Sequence, residues 1–280
     1  MKNNLGPILI ATVVALVLSS CFSMQTTEKG VEKEFKLLEK KPTLQKSTLG
    51  DRTFSYLEGG TEGKPVLIFI HGSPGSFNDW SEYFKDTSLG NSFKLIAVNR
   101  FGYGQSEYGK AEPSLANHAY ILKPIAEKYT NLGVYLIGHS YGGPVAVKAA
   151  IDYPALVDGI ILGAPAVSPA HEKTYWIQHF GRWKATRWAL PKFIRVSSQE
   201  IMPLKSELEA MSKEWNQIQC PVIYIHGKKD KFVPVENADF ARLKLANGKA
   251  EFWIEEDMNH FIPWTRADLI KKAIMTISQP

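Results

Sequence analysis

The stretch Gly138-His139-Ser140-Tyr141-Gly142 constrains the fold of this chain more than any other. It follows the apolar run Val134-Tyr135-Leu136-Ile137 and precedes Gly143-Pro144-Val145-Ala146-Val147, so it reads as a strand, a sharp turn and a helix with a serine at the apex. A residue on such a turn is held in strained backbone geometry, and glycines two positions to either side let neighbouring backbone approach without Cβ clashes. The rest of the chain repeats the strand-then-helix rhythm. Apolar runs predict strands at 66–70, 94–98, 134–137, 159–162, 222–225 and 251–254, after a hairpin of 43–47 and 53–57 that turns near Gly50-Asp51. Helical patterns fall at about 114–130, 141–152, 235–245 and 266–277. This alternation implies the α/β class, a mostly parallel eight-stranded sheet with helices on both faces. The stretch 164–219 is too long for a simple connection and carries no strand pattern, so it is expected to be a helical insert after the sixth strand.

A serine at such an apex suggests nucleophilic chemistry, which makes further demands. The hydroxyl is weakly nucleophilic on its own, so it needs a histidine to take its proton and a carboxylate to orient that histidine and stabilise its cation. Downstream, Val222-Ile223-Tyr224-Ile225 ends in His226-Gly227-Lys228-Lys229-Asp230, which places Asp230 in a loop after a strand. Glu251-Phe252-Trp253-Ile254 is followed by Glu255-Glu256-Asp257-Met258-Asn259-His260, the last histidine of the chain. Ser140 is therefore predicted as nucleophile, His260 as general base and acid, and Asp230 as orienting acid. Asp257 is a weaker rival to Asp230, because it shares the histidine's own loop. Negative charge developing on a substrate carbonyl must also meet preset donors. Strand 66–70 runs into His71-Gly72-Ser73-Pro74-Gly75, and Pro74 has no N–H to give, so the backbone N–H groups of Ser73 and Tyr141 are the predicted pair.

With these four motifs in order, residues 43 to 277 resemble the α/β-hydrolase family, in its single-domain lipase, esterase and peptidase branch with an H-G-x-P-G loop. The resemblance implies the α/β-hydrolase fold, hydrolysis through an acyl-enzyme without a cofactor, a helical lid at about 164–219, and often a cis bond before the loop proline, here Pro74. A serine in place of aspartate at the apex disfavours dehalogenase and epoxide hydrolase chemistry. One departure concerns a turn that begins D-R-x-G-x-G-x-S in the family. Here it reads Asn99-Arg100-Phe101-Gly102-Tyr103-Gly104-Gln105-Ser106, which puts a local salt bridge or hydrogen bond in doubt. Trp176, Phe180 and Trp183 in the lid are the expected apolar wall of a substrate pocket. The expected activity is ester cleavage of carboxylesterase or lipase type, with thioester, lactone and amide bonds ranked lower. The alternatives are an aminopeptidase of the proline iminopeptidase type, for which Glu200, Glu207, Glu209 and Glu214 could supply an acidic cluster, and a non-catalytic binding protein on the same fold. The same glutamates also read as ordinary helix surface.

The other strong signal is N-terminal. Lys2 precedes an apolar stretch from Ile8 to Leu18, too short for a comfortable membrane span, which ends at Leu18-Ser19-Ser20-Cys21. This resembles a bacterial lipoprotein signal. Residues 1–20 are then removed, Cys21 carries lipid, and residues 21–42 form a polar tether ahead of a hydrolase domain at 43–280. The protein would reside in the bacterial cell envelope, anchored to a membrane outside the cytoplasm. With Cys21 spent on lipid, Cys220 has no partner for a disulfide. Lys and Arg number 33 against 28 acids, a net +5 that is too slight to imply nucleic acid. His118, His171 and His179 lack ligand partners at metal spacing, so no metal site is predicted. His71, His139 and His226, beside the motifs, are expected to be hydrogen-bonded structural residues.

Overall fold

Short runs of branched and aromatic residues become strands because each can be buried on both faces of a sheet. In the computed structural model, which describes residues 25–172, 190–246 and 248–279, eight of them form one sheet. They are β1 (Thr43–Leu49), β2 (Arg52–Gly60), β3 (Val66–Ile70), β4 (Lys94–Asn99), β5 (Val134–His139), β6 (Gly159–Gly163), β7 (Val222–Gly227) and β8 (Ala250–Glu255). Their spatial order is β1-β2-β4-β3-β5-β6-β7-β8. β2 runs antiparallel to both β1 and β4, and every pairing from β4 through β8 is parallel. The predicted hairpin turns at Gly50-Asp51, and the predicted mostly parallel eight-stranded sheet is the one observed.

Every residue of β3 is buried, and successive residues serve opposite sides. Val66, Ile68 and Ile70 join one hydrophobic cluster, whereas Leu67 and Phe69 join the other. That two-residue period is the reason both sheet faces need helices. For reference, the helices used below are α1 (Glu28–Glu34), α2 (Leu115–Tyr120), α3 (Gly142–Asp152), α4 (Lys192–Ile201), α5 (Leu204–Met211), α6 (Asn237–Lys244) and α7 (Ala267–Ile277). Val145, Ala146 and Ala149 of α3 pack into the first cluster, and Ile270, Ala273 and Ile274 of α7 into the second.

Two expectations need correction. The helix predicted over 114–130 is interrupted: α2 ends at Tyr120, and a separate turn spans Lys123–Ala126. Pro124 has no N–H to continue the ladder, and its ring would crowd the carbonyl of Tyr120. The stretch expected as a polar tether is docked from Thr26 onward. Thr27 caps α1 by accepting from the Gly30 N–H at 3.2 Å. Val31 and Phe35 then bury themselves in the second cluster, Phe35 lying 6.2 Å from the Phe84 ring. Two apolar residues four apart on one helix face suffice to seat an otherwise charged segment. Residues 1–20 and Cys21 lie outside the described residues, as does 173–189 of the lid. From Pro191 onward the insert is helical, formed by α4 and α5. No helix among the described residues is long and apolar enough to cross a membrane.

Candidate active site

The turn after β5 holds Ser140 at φ +53°, in the left-handed region where only glycine rests without cost. Its backbone is fixed from both sides, the N–H donating to Gly163 O at 3.0 Å and the carbonyl accepting from Ala166 N at 3.2 Å. The two glycines of the motif are required by close approach. A Cβ on Gly138 would collide with the Gly142 carbonyl, and one on Gly142 with the Ile70 carbonyl. Packing α3 this tightly against β3 and β5 leaves the Ser140 side chain at the wall of a cavity of about 590 Å³.

The loops after β7 and β8 bring Asp230 and His260 together. His260 Nδ1 donates to Asp230 Oδ2 at 2.7 Å, which leaves Nε2 as the ring nitrogen able to accept a proton. His260 lines the same cavity as Ser140. The carboxylate is saturated with donors. Asp230 Oδ1 accepts from the backbone N–H groups of Phe232 and Val233, each at 2.8 Å, and Oδ2 lies 3.3 Å from His226 Nε2. Burial alone would push the Asp230 carboxyl up, but the hydrogen bonds from His226, His260 and the Val233 backbone N–H outweigh it and hold it well below the usual carboxylate range. Asp257, the rival acid, is exposed and paired with Lys229 at 2.6 Å.

The histidines beside the motifs are structural, as expected. His139 Nε2 donates to the His260 carbonyl at 2.9 Å, tying the serine's strand to the histidine's loop. Burial, reinforced by the neighbouring His260, pulls His139 down to about 3, so it stays neutral. His226 Nε2 donates to Val233 O at 3.0 Å and braces the Asp230 loop. His71 Nδ1 donates to Gly72 O at 2.7 Å, while Nε2 accepts from the Arg100 N–H at 3.0 Å.

The Ser73–Pro74 peptide bond is cis. Gly72 lies so close that a Cβ there would sit 3.1 Å from Ser140 Cβ, which sets the glycine-rich loop directly against the serine. Ser73 and Tyr141 both line the cavity, and no acceptor among the described residues takes either backbone N–H. Asn99, standing where the family has an acid, fills that position as a neutral group. Its Oδ1 accepts from Phe77 N at 3.0 Å, and its Nδ2 donates to Ser55 Oγ at 2.8 Å.

The cavity also shows what the sequence reading missed. Phe232, Phe261 and Trp264 form an aromatic rim, each next to or near Asp230 or His260 in sequence, and that adjacency was the available signal. Ile194, Ser197 and Ile201 of α4 also line the cavity. Two carboxyl groups, Asp79 and Glu172, also line it, and burial pushes each up to about 7. Trp176, Phe180 and Trp183, the predicted pocket wall, lie outside the described residues. The glutamates that could have supplied an acidic cluster for the aminopeptidase alternative are not among the residues lining the cavity. Glu200 is fully buried against Arg100, Glu207 accepts from Leu115 N at 3.0 Å, and Glu214 accepts from Lys148 Nζ at 2.9 Å. Among the described residues no group of three His, Cys, Asp or Glu is arranged to hold a metal ion. Cys220 is free and buried.

A family model described as the alpha/beta hydrolase fold matches residues 65–191. A 2-hydroxy-6-oxononadienedioate/2-hydroxy-6-oxononatrienedioate hydrolase of Paraburkholderia phymatum is 25% identical over 268 aligned positions, covering 78% of this chain and 92% of the relative. Protein ABHD8 of Homo sapiens is 28% identical over 207, covering 63% of this chain and 47% of that protein, so the chain spans about half of ABHD8. Among solved structures, an alpha/beta hydrolase fold protein from Burkholderia ambifaria superposes with a TM-score of 0.67 at 17% identity, over 83% of this chain and 97% of the other.

Proposed function

The chain has the α/β-hydrolase fold, and on that footing we propose that it is a serine hydrolase that cleaves carboxylic esters through an acyl-enzyme on Ser140. The observation that carries this reading is the 2.7 Å hydrogen bond from His260 to a donor-saturated Asp230, in a cavity whose wall also holds Ser140 on a strained turn. In the proposed cycle Ser140 Oγ attacks the ester carbonyl while His260 Nε2 takes its proton. The oxyanion is met by the N–H groups of Ser73 and Tyr141. The imidazolium then protonates the departing alcohol, and a water activated by the same nitrogen hydrolyses the acyl-enzyme. Asp230 keeps its charge throughout and holds the ring in the tautomer that leaves Nε2 free.

Substrate preference follows from the cavity walls. The aromatic rim and the aliphatic face of α4 suit an apolar acyl or alcohol group of small to medium size. The purified domain is expected to hydrolyse p-nitrophenyl esters of short to medium chain and to leave aminoacyl anilides nearly untouched. Preference for the anilides would instead support an aminopeptidase, and turnover of neither would support a binding protein.

We also propose that Cys21 carries the lipid of a bacterial lipoprotein and that the domain is held at a membrane outside the cytoplasm, on the strength of the Leu18-Ser19-Ser20-Cys21 motif. Several acyl chains give stable anchoring, at about 0.8 kcal/mol per buried methylene. Because the docked segment begins at Thr26, the five peptide steps back to Cys21 reach at most about 18 Å. The domain would stand close to the bilayer. Cys21→Ser is expected to shift the protein from the membrane fraction to the soluble fraction of a cell lysate, and unchanged membrane association would contradict the anchor.

A further inference from the structure

β3 and β4 are parallel neighbours with Ile70 opposite Val98, so the residues just past their ends emerge side by side. This register sets Arg100 against the loop that carries Ser73. The guanidinium is fully buried and uses every edge. Nε donates to His71 O at 3.1 Å and Nη2 to Gly72 O at 2.8 Å, the two carbonyls immediately before Ser73. Cζ of the same group lies 4.3 Å from the centre of the Tyr141 ring. One cation thus touches both segments whose N–H groups are the proposed oxyanion donors.

Its counter-charge comes from the lid insert. Glu200 on α4 accepts from Arg100 Nη1 at 2.7 Å and from Nη2 at 3.0 Å, with both partners fully buried. Tyr103 OH donates to Glu200 Oε1 at 2.6 Å and sits 3.2 Å from Ser73 Oγ, which itself donates to Ser197 Oγ of α4 at 2.8 Å. Burial would push the Glu200 carboxyl up, but the charge and hydrogen bonds of Arg100 outweigh it and keep it ionised. An ion pair this deep repays its desolvation only when the geometry is excellent and the remaining lone pairs are satisfied. Here they are, and the bonds converge on the Ser73 loop.

We infer that Arg100 is the positioning residue of the oxyanion site, fixing the Ser73 and Tyr141 segments relative to each other, and that Glu200 and Ser197 make this arrangement depend on helix α4 of the lid. The inference rests on the serine-hydrolase reading above. Arg100 touches neither the substrate nor the reacting atoms. It acts through the carbonyls of His71 and Gly72, which aim the next N–H, and through the ring of Tyr141. A lysine in its place keeps the charge but cannot reach two carbonyls and two carboxylate oxygens at once.

The test is Arg100→Lys assayed on a short p-nitrophenyl ester. Loss of an aligned oxyanion donor costs about 10²-fold in kcat, so kcat is expected to fall by about that factor with KM changed less than about twofold. Affinity for an aryl trifluoromethyl ketone, whose hemiketal oxyanion needs the same donors, is expected to fall in parallel with kcat/KM. Tyr103→Phe and Ser197→Ala, which leave the ion pair in place, are expected to show smaller losses in the same pattern, and they carry the test if Arg100→Lys does not fold. A folded Arg100→Lys enzyme with unchanged kcat, a loss confined to KM, or unaltered ketone affinity would overturn the inference while leaving the serine-hydrolase reading intact. If the wild type fails to react with a fluorophosphonate, the hydrolase reading falls, and this inference falls with it.

Discussion

If Ser140 is the nucleophile proposed above, Ser140→Ala is expected to lower ester turnover by on the order of 10⁴- to 10⁶-fold while leaving the fold in place. The size of the loss follows from the chemistry: without Oγ no acyl-enzyme forms, and only positioning and oxyanion stabilisation remain to assist direct attack by water. The preserved fold follows from how the turn is held. The bonds that fix Ser140 run from its backbone to Gly163 and from Ala166, and its φ of +53° strains alanine about as much as serine. Turnover of a p-nitrophenyl ester together with the unfolding temperature separates the two effects. A large drop in unfolding temperature alongside the lost activity would show that the hydroxyl is structural.

Asp230→Asn is expected to cost about 10⁴-fold in kcat, for a reason that concerns one proton. Today Nδ1 of His260 donates to Asp230 Oδ2. An asparagine can keep its carbonyl oxygen on the Phe232 and Val233 N–H groups, which turns its NH₂ toward His260. Nδ1 must then accept, the ring proton moves to Nε2, and the nitrogen proposed to take the serine's proton can no longer act as a base. The same substitution changes how stability responds to acid. Because the Asp230 carboxyl is held below its ordinary range, the unfolded chain binds the proton first, and the stabilisation present above about pH 4 is lost progressively as pH falls further. Unfolding temperatures measured from pH 6 down to 3 should fall more steeply for wild type than for Asp230→Asn. Parallel curves would mean the carboxylate is not held ionised by its partners.

The elements legible in the sequence were those whose cause is local. The strained turn at Ser140 requires small neighbours at fixed spacing, and Gly138 and Gly142 supply them. The central strands are apolar without interruption because both sheet faces are covered. Asp230 and His260 were recognisable by chain order and by the strands before them. What escaped notice depends on contacts between distant positions. Arg100 and Glu200 are 100 residues apart, and nothing near Glu200 distinguishes it from an exposed helical glutamate until α4 is laid over the cavity. The docking of Val31 and Phe35 was hidden among charges. Asn99, a neutral residue where the resembled motif begins with an acid, is tied in by two side-chain hydrogen bonds that the sequence did not announce. The aromatic rim of Phe232, Phe261 and Trp264 is a property of two loops folded against each other, although each loop already carried a residue singled out for chemistry.

Reaction of the wild-type protein with a fluorophosphonate, with the adduct located by peptide mass spectrometry, asks directly whether Ser140 is the nucleophile. One probe per chain is expected, on the peptide that contains Ser140, and none on Ser140→Ala. An adduct on another residue, or unmodified Ser140 in a protein that still turns over esters, would contradict that role.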